Sequence, residues 1–130
     1  MVRFAYTILY VQDVNKSIEF YEKAFGFERK FIVPNNEYGE LSTGDTTLSF
    51  ASIELAKTNV KHGLIPSSIN EKPFAIEIAF ATENVEEVYQ AAIEAGATAE
   101  APAEWKPQGQ TVAYVRDPDG FLIEICTPMT

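Results

Sequence analysis

The chain has 130 residues, 46% of them hydrophobic and 22% charged, a balance ordinary for a folded domain and unlike that of a disordered one. Its formal net charge of −9 repels phosphate backbones and anionic lipid surfaces, which argues against nucleic acid or a membrane as partner and favours neutral or cationic molecules. A single cysteine, Cys126, excludes an intrachain disulfide, and the absence of an apolar leader or long apolar span makes a cytoplasmic location the expectation.

Residues Arg3 to Val11 alternate as a strand, with Phe4, Tyr6, Ile8 and Tyr10 on one face. Asp13 is placed to cap a helix running to Phe25, whose apolar stripe is Val14, Ile18, Tyr21, Ala24 and Phe25 and whose stop is Gly26. Phe27 to Val33, Tyr38 to Thr43 and Thr46 to Ser52 read as three further strands, separated by Pro34-Asn35-Asn36 and Gly44-Asp45. A short helical turn at Ile53 to Ala56 opens a connector, Glu54 to Lys72, which holds the lone His62. Strand character returns at Phe74 to Thr82, and helical spacing at Val85 to Ala95, closed by Gly96. A strand at Ala97 to Ala101, a loop from Pro102 to Gly109 and strands at Gln110 to Arg116 and Phe121 to Thr127 follow. The last two strands meet at Asp117-Pro118-Asp119-Gly120, where Pro presets φ, the Asp side chains bond nearby backbone N–H groups, and Gly is free to take positive φ.

The order strand, helix, three strands occurs twice. Tyr6 maps onto Glu77 at a spacing of 71, Gly26 onto Gly96 at 70 and Ser49 onto Glu124 at 75. The expected architecture is α+β: one domain over residues 1–130, built of two βαβββ modules at about 1–53 and 73–130 with a connector at about 54–72. Each module alone leaves an apolar sheet face in need of cover, so self-association into a homodimer is also expected.

Two acidic residues interrupt apolar strands: Glu77 in Phe74-Ala75-Ile76-Glu77-Ile78-Ala79-Phe80, and Glu124 in Phe121-Leu122-Ile123-Glu124-Ile125-Cys126. One reading is a paired-carboxylate pocket in which burial and like charge raise at least one carboxyl, a candidate acid/base or cation site. The other is that each points to solvent at a wet sheet face or bonds a Tyr or an Arg such as Arg116. Tyr6, Tyr38 and Tyr114 are further candidate ligand-binding residues, although strand aromatics are more often plain core, and Glu40, which shares a strand face with Tyr38, is either a pocket group or part of a solvated sheet face. Trp105 lies in Glu104-Trp105-Lys106-Pro107-Gln108-Gly109-Gln110, too polar and Pro-rich for an interior, and is a candidate for a lid or pocket rim. Cys126 shares the face of Glu124 and reads as inert packing. The sequence carries no Ser-His-Asp, Walker or dinucleotide signature.

Leu9-Tyr10-Val11-Gln12-Asp13, Ser17-Ile18-Glu19-Phe20-Tyr21, Phe25-Gly26-Phe27 and Asp117-Pro118-Asp119-Gly120-Phe121 with Glu124 together resemble the vicinal oxygen chelate superfamily of glyoxalase, bleomycin-resistance and dioxygenase proteins. The resemblance spans nearly the whole chain. It implies two βαβββ modules, each curling its sheet into an open half-barrel around a ligand pit, with helices outside. It also implies metal positions on the first and fourth strands of each module, which here are Tyr6, Ser49, Glu77 and Glu124. Only Glu124 has the usual residue type. Zn, Ni or Fe sites normally combine imidazole with carboxylate, so no tight transition metal is expected, while Mg or Mn held weakly by Glu77 and Glu124 remains open. The function implied is a metal-independent binder of a small aromatic or cationic molecule, in the manner of antibiotic-sequestering members. The alternative is a divalent-metal-dependent lyase, isomerase or thiol transferase of glyoxalase type, with Glu77 and Glu124 as its catalytic candidates.

Overall fold

The computed structural model describes residues 1–129. It divides into two compact units, the first formed by residues 1–22 and 26–66 and the second by residues 23–25 with the chain from Ser67 onward. Each contains one four-stranded mixed sheet.

In the first unit β1 (Thr7–Val11) leads to α1 (Val14–Phe25), then β2 (Glu28–Ile32), β3 (Tyr38–Ser42), β4 (Thr47–Ser52) and α2 (Ile53–Asn59). Asp13 accepts a hydrogen bond from Lys16 N, and Gly26 takes the left-handed conformation with its N–H on Glu22 O, so α1 starts and stops where its capping residues dictate. The Asn36 side chain, in the turn between β2 and β3, donates to Asp13 Oδ1 and accepts from Asn15 N, tying that turn to the helix start. Val14, Ile18, Tyr21 and Ala24 are buried, together with Ser17 and Phe20. Tyr21 stacks obliquely on Phe50 at 5.1 Å, at the centre of this unit's core.

Sheet order is β1-β4-β3-β2, with β1 parallel to β4 and the other pairs antiparallel. β1 is shorter than the alternation predicts. Its first rung is Thr7 opposite Leu48, and the preceding Phe4 and Tyr6 are exposed. The helical turn expected at Ile53 to Ala56 extends into the seven-residue α2, capped by the Ser52 side chain accepting from Leu55 N.

The second unit repeats the plan with β5 (Glu77–Ala81), α3 (Val85–Ala95), β6 (Thr98–Trp105), β7 (Thr111–Arg116) and β8 (Leu122–Cys126) in sheet order β5-β8-β7-β6. β5 is parallel to β8, as β1 is to β4. The alignment of the repeat follows from register: Ser49 lies opposite Ile8 on β1, and Glu124 opposite Ala79 on β5. Two residues upstream of those partners stand Tyr6, just before β1, and Glu77, the first residue of β5, the pair the sequence spacing matches.

In this unit the start of β5 and the end of β6 differ most from expectation. β5 begins at Glu77, not Phe74, because its partner β8 begins at Leu122, after the turn. β6 runs on to Trp105, where a loop from Pro102 was expected: register shifts between Ala99 and Ala101 and between Ala101 and Glu104 absorb Pro102 in a strand at the sheet edge. The turn between β7 and β8 forms as predicted. Asp117 Oδ1 accepts from Asp119 N at 3.0 Å and Phe121 N at 2.8 Å, and Gly120 has φ 92°. Among the described residues no helix is long and apolar enough to cross a membrane.

Candidate functional site

The candidate residues gather into one polar cluster in each unit. In the second, Glu77 opens edge strand β5 and Glu124 sits at the middle of the adjacent β8, on neighbouring parallel strands of one sheet. Their carboxyls are near enough for each to perturb the other's titration. Tyr114, directly opposite Glu124 on β7, donates its hydroxyl to Glu124 Oε1 at 3.0 Å. The buried Cys126 thiol, two residues along on the same face of β8, is near enough to Glu124 for that carboxyl to affect its titration.

These contacts separate two carboxyls of the same type. Burial, the hydrogen bond to Glu124 and the Glu124 charge push Glu77 up to about 7. Burial alone would raise Glu124 as well, but hydrogen bonds from Glu77, Cys126 and Tyr114 outweigh it and hold that carboxyl below its usual value. Glu77 is exposed on its outer side, so the contact with Glu124 is the cause of its shift that the geometry supports most directly. Below about pH 7 the pair is therefore a carboxylic acid beside a carboxylate, and above it two carboxylates. Burial and the adjoining carboxylates push the Tyr114 hydroxyl up to about 12 and the Cys126 thiol up to about 11, so both remain protonated donors at neutral pH.

The first unit carries the equivalent cluster in another arrangement. Glu40 on β3 lies opposite Ser49 on β4, as Tyr114 lies opposite Glu124. Tyr38 donates its hydroxyl to Glu40 Oε2 at 2.6 Å, a short charge-assisted bond. Tyr38 Oη also lies 3.0 Å from Ser49 Oγ. The tyrosine has one proton, already donated to Glu40, so the Ser49 hydroxyl supplies the hydrogen of this second bond. Burial and Glu40 together push the Tyr38 hydroxyl up to about 12. The ammonium of Lys30 lies 3.9 Å from Glu40 Oε1 and donates to Thr47 Oγ1 at 3.1 Å.

The structure thus brings Tyr38, Glu40 and Ser49 together in one unit and Glu77, Glu124 and Tyr114 together in the other. Tyr6 is 47% exposed just before β1, and Trp105 is 67% exposed at the end of β6 rather than within a loop. Arg116, raised as a possible partner for the acidic residues, bonds the main-chain oxygens of Gly120 and Ser68 instead. Sequence reasoning missed Lys30, which reaches the cluster because a bulge between Arg29 and Phe31 leaves it outside the β2–β3 ladder. Cys126 is buried two residues from Glu124 on one strand face. A depression of about 380 Å³ opens at the start of α3, lined by residues including Glu83, Asn84, Val85, Thr111 and Thr127, and none of the candidate residues borders it.

The donor set does not suit a tightly held transition metal. In the second unit the carboxyls of Glu77 and Glu124 engage each other, the Cys126 thiol is held protonated, and no imidazole joins them. Among the described residues no three His, Cys, Asp or Glu side chains converge as a metal cluster.

Comparison with known proteins places this geometry. A lactoylglutathione lyase from Arabidopsis thaliana is 30% identical over 95% of this chain, which spans 43% of that protein's length. The protein YraH from Bacillus subtilis is 32% identical over 90% of this chain and 91% of its own. Among solved structures, a glyoxalase-related enzyme from Fulvimarina pelagi superposes with a TM-score of 0.82 at 24% identity, covering 98% of this chain and 89% of its own. TioX from Micromonospora superposes with a TM-score of 0.73 at 19% identity, covering 98% of this chain and all of its own. Residues 3–125 match the model of one family, with the tandem βαβββ modules seen here, and the chain belongs to the Glyoxalase/Bleomycin resistance protein/Dioxygenase superfamily.

Proposed function

We propose that the protein binds a small organic cation, an amine carried on an aromatic or other apolar body, at the Glu77–Glu124 pair and without a tightly held transition metal. The observation that carries this reading is the placement of the two carboxyls on adjacent parallel strands, β5 and β8, with Glu77 pushed up to about 7. A pair sharing one proton exchanges that proton for a cation at little electrostatic cost, because the incoming charge takes over its role between two like-charged groups. Binding then releases a proton near neutral pH and strengthens as pH rises through about 7.

Calorimetry with benzylamine as probe, in buffers of different ionisation enthalpy, tests this. The expected result is release of a fraction of a proton at pH 6.5, with affinity rising between pH 6 and 8 and falling in Glu124→Gln. Binding without proton release, or binding indifferent to Glu124→Gln, would overturn the reading.

The likeness to a lactoylglutathione lyase favours a second reading, a metal-dependent reaction of glyoxalase type with Glu77 and Glu124 as acid and base. Elemental analysis with a thermal-shift series of divalent ions separates the two. Stoichiometric Zn, Ni or Fe supports the second reading, whereas weak stabilisation by Mg or Mn alone is compatible with the first. In either case we propose that the working form is a homodimer, since Phe4, Phe31, Phe74 and Ile76 are exposed apolar side chains. Sedimentation showing a monomer across micromolar concentrations contradicts that.

A further inference from the structure

Glu77 is reached through an irregular, mostly exposed segment, residues 69–76, and it is the first residue of an edge strand whose partner in the sheet is β8. The first residue of an edge strand is where fraying starts. The Glu77–Glu124 pairing, by contrast, depends on Glu77 keeping its rung opposite Leu122. Something upstream has to hold the segment that delivers β5.

Arg116 ends β7 and is 7% exposed. Its Nε and Nη2 donate to Gly120 O at 3.0 and 2.9 Å, and Nη2 also donates to Ser68 O at 3.0 Å. One planar fork thus joins the turn that launches β8 to the segment that leads to β5. The two backbones are also in direct contact: a Cβ on Gly120 would stand 2.5 Å from the Ser68 carbonyl carbon, at a backbone φ of 92° that disfavours any side chain. To fill space alone, an apolar residue would serve without the desolvation cost of a buried ion.

We propose that Arg116 is a positioning residue for the carboxylate pair, clamping Ser68 against the β7–β8 turn and so fixing the start of β5 where Glu77 meets Glu124. This rests on the reading of that pair as the functional site. The test below reads strand geometry, so failure of probe binding would sink that reading without deciding this one.

Two variants attack the clamp from opposite sides. Arg116→Lys keeps the charge but loses the fork that spans two carbonyls; Gly120→Ala keeps Arg116 but drives Ser68 away. In isotope-labelled protein at pH 6, both should lose the cross-strand proton contacts between Glu77 and Leu122. Both should also speed amide exchange at Glu77 and Ile78 at least tenfold, with less than twofold change at Val112 to Val115. The Glu77 carboxyl carbon shift should move to the position it takes in Glu124→Ala, a signature that general loosening of the fold does not produce. A folded variant of either kind that keeps the Glu77–Leu122 contacts and the wild-type carboxyl shift overturns the proposal.

If neither variant folds, a urea series on wild-type protein below the global transition decides. Loss of protection at Arg116 Hε together with Glu77 supports the clamp. Free exchange of that Hε while the Glu77–Leu122 contacts persist refutes it.

Discussion

The two units are built on one strand plan and differ in where the acid stands. In the first, the carboxylate is Glu40 on β3, facing Ser49, and Tyr38 meets it with a 2.6 Å bond. In the second, the carboxylate is Glu124 on β8, facing Tyr114, and the matching edge-strand position brings Glu77 in place of Tyr6. The first arrangement is satisfied internally, with a tyrosine on the carboxylate, a serine on that tyrosine and a lysine nearby. The second places two acids in contact and leaves them one proton short of neutrality, a state that favours a cationic partner. The same sheet position thus serves as a closed polar network in one unit and as a site open to exchange in the other.

The largest expected effect tests whether the cores beneath these clusters are equivalent. Phe50 and Ile125 occupy matched positions, and both are fully buried. Phe50→Ala should cost about 3–5 kcal/mol and Ile125→Ala about 2–5 kcal/mol in urea denaturation. A loss under 1 kcal/mol at either would mean that its unit packs more loosely than described.

Next comes an attempt to convert one cluster into the other. Ser49→Glu places a second acid beside Glu40 at a position with no exposure, and should cost about 2–4 kcal/mol at pH 8. The loss should shrink at pH 5, as one of the paired acids takes up a proton; a pH-independent loss would point to overpacking alone. Smaller again is the contrast between the tyrosines. Tyr38→Phe removes a charge-assisted bond at 2.6 Å and should cost about 1.5–3 kcal/mol, whereas Tyr114→Phe removes a 3.0 Å bond from a carboxylate with other donors and should cost about 0.5–1.5 kcal/mol. Equal losses would remove the distinction between a closed and an open network.

The smallest effect concerns pH. The folded Glu77 carboxyl, at about 7, lies above its ordinary value of 4.5, so the folded state holds this proton more tightly than the unfolded chain. Its contribution to stability is full below about pH 4.5 and is lost as pH rises through about 7. Glu124, held below its usual value, contributes in the opposite sense, and its share is lost as pH falls below that value. Glu77→Gln keeps an N–H donor to Glu124 and removes the titrating group, so it should flatten the decline between pH 5 and 8. At pH 8 the gain should be a few tenths to about 1 kcal/mol, kept small because the exposed side chain is screened by water. An undiminished decline in that variant would assign the pH dependence to other groups.

Much of the fold was legible because local chemistry and global pairing agree. Asp13 and Gly26 bound α1, Val85 to Ala95 forms α3, and Asp117 to Gly120 makes the turn. The misjudged boundaries were set by partners instead. Phe4 and Tyr6 alternate like a strand but precede its first rung, Thr7 opposite Leu48, and Pro102 sits in β6 because register shifts make room for it. At the site, Glu77 and Glu124 stood out as charges in apolar strands, and Tyr38 with Glu40 as same-face neighbours two residues apart. Lys30 depends on a bulge, and Arg116 on a contact with Ser68 that lies 48 residues away in sequence. No local pattern announces either.

The central claim is that Glu77 and Glu124 form one proton-sharing unit, and carbon-detected NMR of the two carboxyls from pH 3 to 9 tests it most directly. The account predicts that Glu77 titrates near 7 and Glu124 below its usual value, and that in Glu124→Gln the Glu77 midpoint falls back toward 4.5. Two independent midpoints near 4.5 in the wild-type protein, with Glu77 indifferent to the Glu124 substitution, would contradict it.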